Sequence, residues 1–387
     1  MPNHPIINFN SGELSKLIDA RSDIDKYAAG CRVLENMIPR VYGIAERRPG
    51  LQFILAADDN AVAGRIIPFI YSNAIAYVIE MGDQVFRFFF DGGVVLDGAS
   101  AVETATPYVE ADLFQVQFIQ SLDVLYLTHQ DYAPRTLSRT SATVFALAAI
   151  EFKFGPFLQR NDYLEDDDVT LTCSVIAAAA SGTLTASAAT FLSGHVGSLW
   201  KLTLPRVNTS VKGTATGTGV IDAAIDVDGP FTFKTSGHWG ATIELQRNED
   251  SNGWETFRTW TSVLSAGVGS LNAQYTGIEY AQNTQYRMNV TTYSGGTVQA
   301  SLTVNTSTQS GIVKITAVTN STSATATVIS KLASTDTTKQ WNEGAWSGVR
   351  GYPKTVCIFQ SRAIYASTSF QPQTLWFSQT GAYSIIT

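Results

Sequence analysis

The sequence predicts an all-β protein: a propeller-like platform carrying an inserted immunoglobulin-like β-sandwich and a small β-barrel module. Three observations lead there. Charged residues make up only 15% of the 387 residues, while Ser, Thr, Gly and aromatics are abundant, a balance suited to loop-rich strands rather than helices. Short apolar runs rich in Val, Ile, Phe and Tyr recur between turn residues at regular intervals, the spacing of a meandering antiparallel sheet. After Glu165, Asp166, Asp167 and Asp168 the composition shifts to Thr, Ser, Ala and Gly, which marks a separate module.

The length allows two or three domains, each with a sizeable core. The expected layout is a platform over residues 1–165, an insert over 166–340 and a return to the platform over 341–387. Within the insert, residues 170–228 and 305–340 are assigned to the small barrel and 229–304 to the sandwich.

The N-terminal stretch opens on the apolar residues Ile6, Ile7 and Phe9 and turns at Ser11-Gly12. It then passes charges at Asp19, Arg21, Asp23, Asp25 and Lys26 and ends on Arg47-Arg48-Pro49-Gly50, a turn into the next strand. Strands are expected at residues 51–55, 65–71, 74–81, 84–90, 113–119, 124–128 and 136–138. The pair 74–81 and 84–90, joined at Gly82-Asp83, is the clearest hairpin. Residues 122–129 read as a buried strand of a blade, and a second such unit follows at 355–359, 362–367 and 375–378, with a turn at Gln360-Ser361 and the aromatic pair Trp376-Phe377.

In the insert, hairpins are expected between 241–247 and 255–261 and between 285–293 and 297–304, the latter across Ser294-Gly295-Gly296. Alternation at Ile243 and Leu245 and at Tyr286, Met288 and Val290 gives each strand one buried face, with Trp239, Trp254 and Trp260 as core or rim aromatics. The flanks 170–204 and 311–332 are expected to pair into the barrel through Phe191, Val196, Leu199 and Trp200 on one side and Val313, Ile315, Val318, Ala324, Ala326 and Val328 on the other. Gly194-His195-Val196-Gly197 lacks the spacing and Lys of a phosphate loop and reads as a tight turn before a buried strand.

Several chemistries lack their residues. A net charge of −7 gives no broad basic footprint for tight nucleic-acid binding. Cys31, Cys173 and Cys357 are far apart and read as packing thiols in a reducing compartment. The acidic run at 165–168 lacks the alternating ligands of a calcium loop and reads as a solvated boundary. His4, His129, His195 and His238 form no close pair, so neither metal nor cofactor is expected. No G-x-S-x-G elbow occurs. Paired carboxylates for glycoside cleavage can meet from distant strands, but acids this sparse weigh against them, and the expectation is a chain that is not an enzyme. The first ten residues carry no signal peptide, and no run of 18 apolar residues suggests a membrane span, so synthesis in the cytoplasm is expected.

Arg32, Arg40, Arg47 and Arg48 form the densest cationic cluster. They suit DNA phosphates or the acids of a neighbouring subunit, and the nearby Glu35 and Glu46 favour the subunit interface. Trp376 and Phe377 complete the interface candidates.

The N-terminal pattern also resembles a known family. Gly12-Glu13-Leu14 is followed by D-x-x-K-Y-x-x-G-C-R-x-L-E-N from Asp23 to Asn36 and by Arg47-Arg48-Pro49-Gly50, which is similar to the N-terminal signature of the tail nozzle and hub proteins of short-tailed bacteriophages. The likeness covers the first 160 residues and returns at Trp341-Asn342-Glu343-Gly344-Ala345-Trp346-Ser347, Arg350-Gly351-Tyr352-Pro353, Gln360-Ser361-Arg362 and Trp376-Phe377-Ser378. It implies a structural protein of the virion tail without catalytic residues, made in the host cytoplasm. It further implies a homo-oligomeric ring, hexameric by resemblance, beside an adaptor or portal and other tail proteins, with DNA passing through its channel without specific binding. Two features depart from the pattern: the insert, and an end at Ile385-Ile386-Thr387 where family members continue, so a shortened platform with edges covered by subunit contact is expected. The alternative is a carbohydrate-binding or depolymerising tail protein, and an adhesin-like β-protein is the third reading.

Overall fold

The computed structural model describes residues 7–57, 59–163, 168–264 and 271–386. His4, Ile6, Glu165, Asp166, Asp167 and Thr387 therefore lie outside the described residues. The chain divides into two compact units, residues 1–56 and 57–387.

The smaller unit has little regular structure. Gly12–Glu13 runs parallel to Gly30–Cys31, and Met37–Pro39 runs antiparallel to Ala45–Arg47. Among its described residues, no apolar side chain belongs to a buried core. The strand expected at residues 51–55 does not form, because no neighbouring segment pairs with it.

The platform begins with a sheet of Arg65–Ile70, Ala76–Gly82, Val85–Phe90, Gly93–Val94 and Glu103–Ala105. The expected hairpin is present, with Tyr77 opposite Phe90 and Met81 opposite Phe86. A second blade follows as a four-stranded meander, Gln117–Ser121, Val124–His129, Tyr132–Arg139 and Phe145–Ala149. A third comprises Thr355–Phe359, Arg362–Ala366, Leu375–Gln379 and Ala382–Ile386.

Strand alternation stacks these sheets face to face. Phe69, Ile79 and Phe88 of the first blade meet Leu125, Leu127, Leu137 and Phe145 of the second, with the rings of Phe88 and Phe145 stacked 3.8 Å apart. Ile119 and Tyr126 of the second blade pack instead with Val356, Tyr365 and Trp376 of the third. The second blade is thus covered on both faces, as blades are in a propeller. This is an all-β chain with a propeller-like platform.

The insert holds two modules. Leu171–Cys173, Ser181–Ala186, Ser323–Ser330, Thr308–Asn320, Leu199–Pro205 and Trp341–Glu343 pair in that order into a six-stranded sheet. Leu171 and Thr338 exchange backbone hydrogen bonds of 2.9 Å, which brings the two edges together and curls the sheet into the expected small barrel. Trp200, Leu202, Val313, Ile315, Ala324 and Ala326 fill it. Val196, expected to face inward, is exposed in the turn before the strand.

The sandwich differs from expectation in two respects. Ser210–Ala215 and Gly219–Asp226, placed with the barrel by sequence, pair with Thr284–Val304 of the sandwich and bury Val211, Ile221 and Ile225 in its core. The hairpin expected over residues 285–304 is one long strand, Thr284–Val304, aligned along nearly its whole length with Gly229–Glu249. Ser294, Gly295 and Gly296 bend this strand without reversing it. The first half of Gly229–Glu249 pairs with Gln274–Glu279, and the second half with Glu255–Ser262 as expected. One sheet is thereby folded over itself, and the fold encloses Phe231, Phe233, Trp239, Ile243, Leu245 and Met288.

Candidate functional site

The arginines singled out by sequence all lie in the smaller unit, exposed. Arg32 pairs with Asp19 at 3.2 Å, Arg40 with Glu46, and Arg48 Nε donates to Asn36 Oδ1 at 2.7 Å. The unit's own acids thus neutralise Arg32 and Arg40. The exposed apolar residues around them stand out more: Leu17 and Tyr42 are each 92% exposed, and Val41, Leu51, Phe53 and Ile54 are also open to solvent. Of the third-blade pair, Trp376 faces inward and packs edge-on against Trp346, whereas Phe377 points outward.

The larger unit contains a cavity of about 530 Å³ where the barrel meets the platform. Its charged centre joins His195 to Glu343 and Arg350, which lie far from it in sequence and seven residues from each other. His195 ends the short 3-10 turn Ser193–His195, the turn predicted before the barrel strand Leu199–Pro205. Glu343 closes the strand Trp341–Glu343, held opposite Trp200. Arg350 lies in the turn after it, where its backbone N–H donates to Ser347 Oγ at 3.0 Å. Gly194 allows these loops to meet: Gly348 N–H donates to its carbonyl at 2.8 Å, and a Cβ there would lie 2.9 Å from the Gly348 backbone.

His195 Nδ1 accepts the Leu192 N–H at 3.0 Å, which leaves the proton on Nε2 to donate to Glu343 Oε1 at 3.1 Å. Arg350 grips the same carboxylate in a fork, Nε to Oε1 at 2.8 Å and Nη2 to Oε2 at 2.7 Å. Burial alone raises the Glu343 carboxyl, but the hydrogen bonds from His195 and Arg350 outweigh it and hold the group below the usual carboxylate range. Glu343 in turn raises Arg350. The guanidinium also lies 4.4 Å from the ring centre of Phe370. Beside them the buried Gln371 Oε1 has no hydrogen-bond partner. A charge-balanced centre, an aromatic wall and an unsatisfied acceptor make this a pocket equipped to hold a small polar molecule.

Sequence reasoning placed His195 in its turn correctly but gave it no partner. Glu343 and Arg350 stood out only within the stretches that resemble the phage family. No local pattern links them to a histidine 148 residues away from Glu343.

No protein-family model matches the chain, and no curated protein matches it in sequence. Among solved structures, it is similar to an exo-β-1,3-galactanase from Phanerochaete chrysosporium, at 9% identity over 69% of this chain and 75% of that one, with a TM-score of 0.18. An arabinoxylan arabinofuranohydrolase of glycoside hydrolase family 43 from Bacillus subtilis matches at 11% identity over 68% and 72% of the two chains, with a TM-score of 0.18. An α-xylosidase of glycoside hydrolase family 31 from Xanthomonas citri matches at 10% identity over 70% and 38%, with a TM-score of 0.12. These matches correct the expectation of a chain that is not an enzyme: all three are glycoside hydrolases, and that expectation is withdrawn. Likenesses this distant assign no activity to this chain.

Proposed function

We propose that this chain is a structural subunit of a larger assembly, a nozzle or hub component of a phage tail, and that other subunits or tail proteins cover its N-terminal unit. The observation that carries this reading is the open apolar surface of residues 7–56, where Leu17, Val41, Tyr42, Leu51 and Phe53 each expose four-fifths or more of their surface. Monomeric proteins rarely leave so many large apolar side chains of one short stretch open to water, and covering each stabilises a contact by about 1.5–3 kcal/mol. The resemblance supplies the setting: a ring, hexameric by resemblance, in the virion tail beside an adaptor or portal. With a net charge of −7, the walls of such a ring would offer passing DNA little to hold. Light scattering on the full chain, alone and with its neighbouring tail protein, tests this. A ring-sized species that Tyr42→Asp with Phe53→Asp disperses is the expected result; a monomer under every condition would refute the assembly.

A second reading is carbohydrate binding, the alternative drawn from sequence, and the cavity around Glu343 favours it. Its charges are balanced, and it combines a hydrogen-bond acceptor with an aromatic wall, which suits an uncharged polar ring. A glycan array probed with the intact chain tests this reading: retention of any glycan supports it, and a blank array removes it.

A further inference from the structure

We propose that the cavity bounded by Glu343, Arg350, Phe370 and Gln371 binds one neutral, hydroxyl-rich ring, a single sugar residue or the end of a saccharide chain. This rests on the carbohydrate reading above and narrows it to one place and one charge class.

Charge is decided first. Glu343 takes both Nε and Nη2 of Arg350, so carboxylate and guanidinium cancel, and His195 spends its Nε2 proton on the same carboxylate. An anionic ligand meets no surplus positive charge, and a cationic one meets no free carboxylate. Among the polar groups that line the cavity, two bear on the chemistry of a ligand. The bonds of Arg350 to Glu343 leave Nη1 to donate, while the buried Gln371 Oε1 has nothing to accept. A buried acceptor left unmet destabilises the site, and a ligand O–H that reached it would relieve that cost. A group that both accepts from Arg350 and donates to Gln371 is a hydroxyl, and neighbouring hydroxyls on a ring satisfy both at once.

The apolar part agrees. Phe370 is 54% exposed and lies against the Arg350 guanidinium, which leaves its other side for the C–H face of a ring. Trp341 and Leu158 line the floor, with the Trp341 indole N–H already donating to the Val169 carbonyl at 2.9 Å. Trp341 therefore offers contact area and no competing donor. A cavity of about 530 Å³ admits one ring with room for its bridging waters.

The test is a calorimetric and saturation-transfer titration of the full chain with galactose, glucose, xylose and their trisaccharides, alongside glucuronate and N-acetylneuraminate. The expected result is binding of at least one neutral sugar with a Kd of about 1 mM or tighter. Phe370→Ala and Gln371→Leu should each weaken it about tenfold, whereas Phe377→Ala on the outer face of the third blade should leave it unchanged. Equal circular dichroism melts for the three variants keep the comparison one of binding. Preference for the acidic sugars overturns the neutral-ring inference while the carbohydrate reading stands. Neutral sugars bound equally by all three variants place the sugar elsewhere and overturn it as well. No binding by any probe, together with a blank glycan array, removes both readings.

Discussion

At the scale of single residues, two buried carboxylates, Glu279 and Glu343, sit in closed sets of partners. In the sandwich, Arg247 Nε donates to Glu279 at 2.7 Å, Tyr286 Oη donates to the same carboxylate at 2.7 Å, and the Ala281 N–H completes the set at 2.8 Å. Burial raises the Glu279 carboxyl and these bonds outweigh it, so the group ends below its ordinary range. Removing one partner leaves the others buried without it. Glu279→Gln should therefore cost about 3 kcal/mol and Tyr286→Phe about 1 kcal/mol in denaturant unfolding. Glu343 makes a prediction in pH. Its carboxyl lies below the ordinary value of 4.5 in the fold, so its stabilisation is complete above that value and is lost as pH falls through the lower, folded one. Melting temperatures of the parent and of Glu343→Gln should therefore differ at neutral pH and converge below about pH 4.5. A constant gap down to acid would show that the carboxylate is not held by Arg350 and His195.

At the scale of elements, backbone geometry decides where strands bend. Thr284–Val304 keeps its ladder through Gly295 and Gly296 while the sheet folds over, and a Cβ on Gly296 would lie 2.2 Å from the His238 carbonyl. Gly296 also holds φ at +79°. Gly296→Ala should cost about 3 kcal/mol or more, from left-handed strain together with that clash. Gly217→Ala, with open space around it, serves as the control. The blade contacts follow packing: Phe88 and Phe145 stack between two sheets, and Phe88→Ala should cost about 3–5 kcal/mol in unfolding.

At the scale of the whole molecule, the sandwich is hung from the barrel by two adjacent strands. Pro205 and Thr308 are register partners, and the Arg206 N–H donates to the Ser307 carbonyl at 2.9 Å. A module that leaves and returns through neighbouring residues can be excised without threading. Replacing residues 207–306 by a short turn should preserve the barrel and platform, and with them the cavity, which none of the excised residues lines. Loss of the near-ultraviolet signal of Trp200, Trp341 and Trp346 would show instead that the barrel depends on its passenger.

The sequence by itself determined the local terms. Alternation in 241–247 and 255–261 located a real hairpin and the regular turns located the blades, whereas the glycines at 295–296, expected to reverse the chain, lie within one continuous strand. These signals arise from residues near in sequence, where pleat and turn geometry act directly. Only the tertiary structure decided partners. It joined the 285–293 and 297–304 segments into one strand because the neighbouring ladder of Gly229–Glu249 outcompeted a tight reversal. It drew 210–226 into the sandwich, where burial of Val211 and Ile221 was available. It turned Trp376 inward and Phe377 outward, which a two-residue aromatic pair leaves undecided. The site was the least legible part, because His195, Glu343 and Arg350 meet through closure of the barrel on the platform. Long-range burial chooses such partners, and no spacing along the chain encodes it.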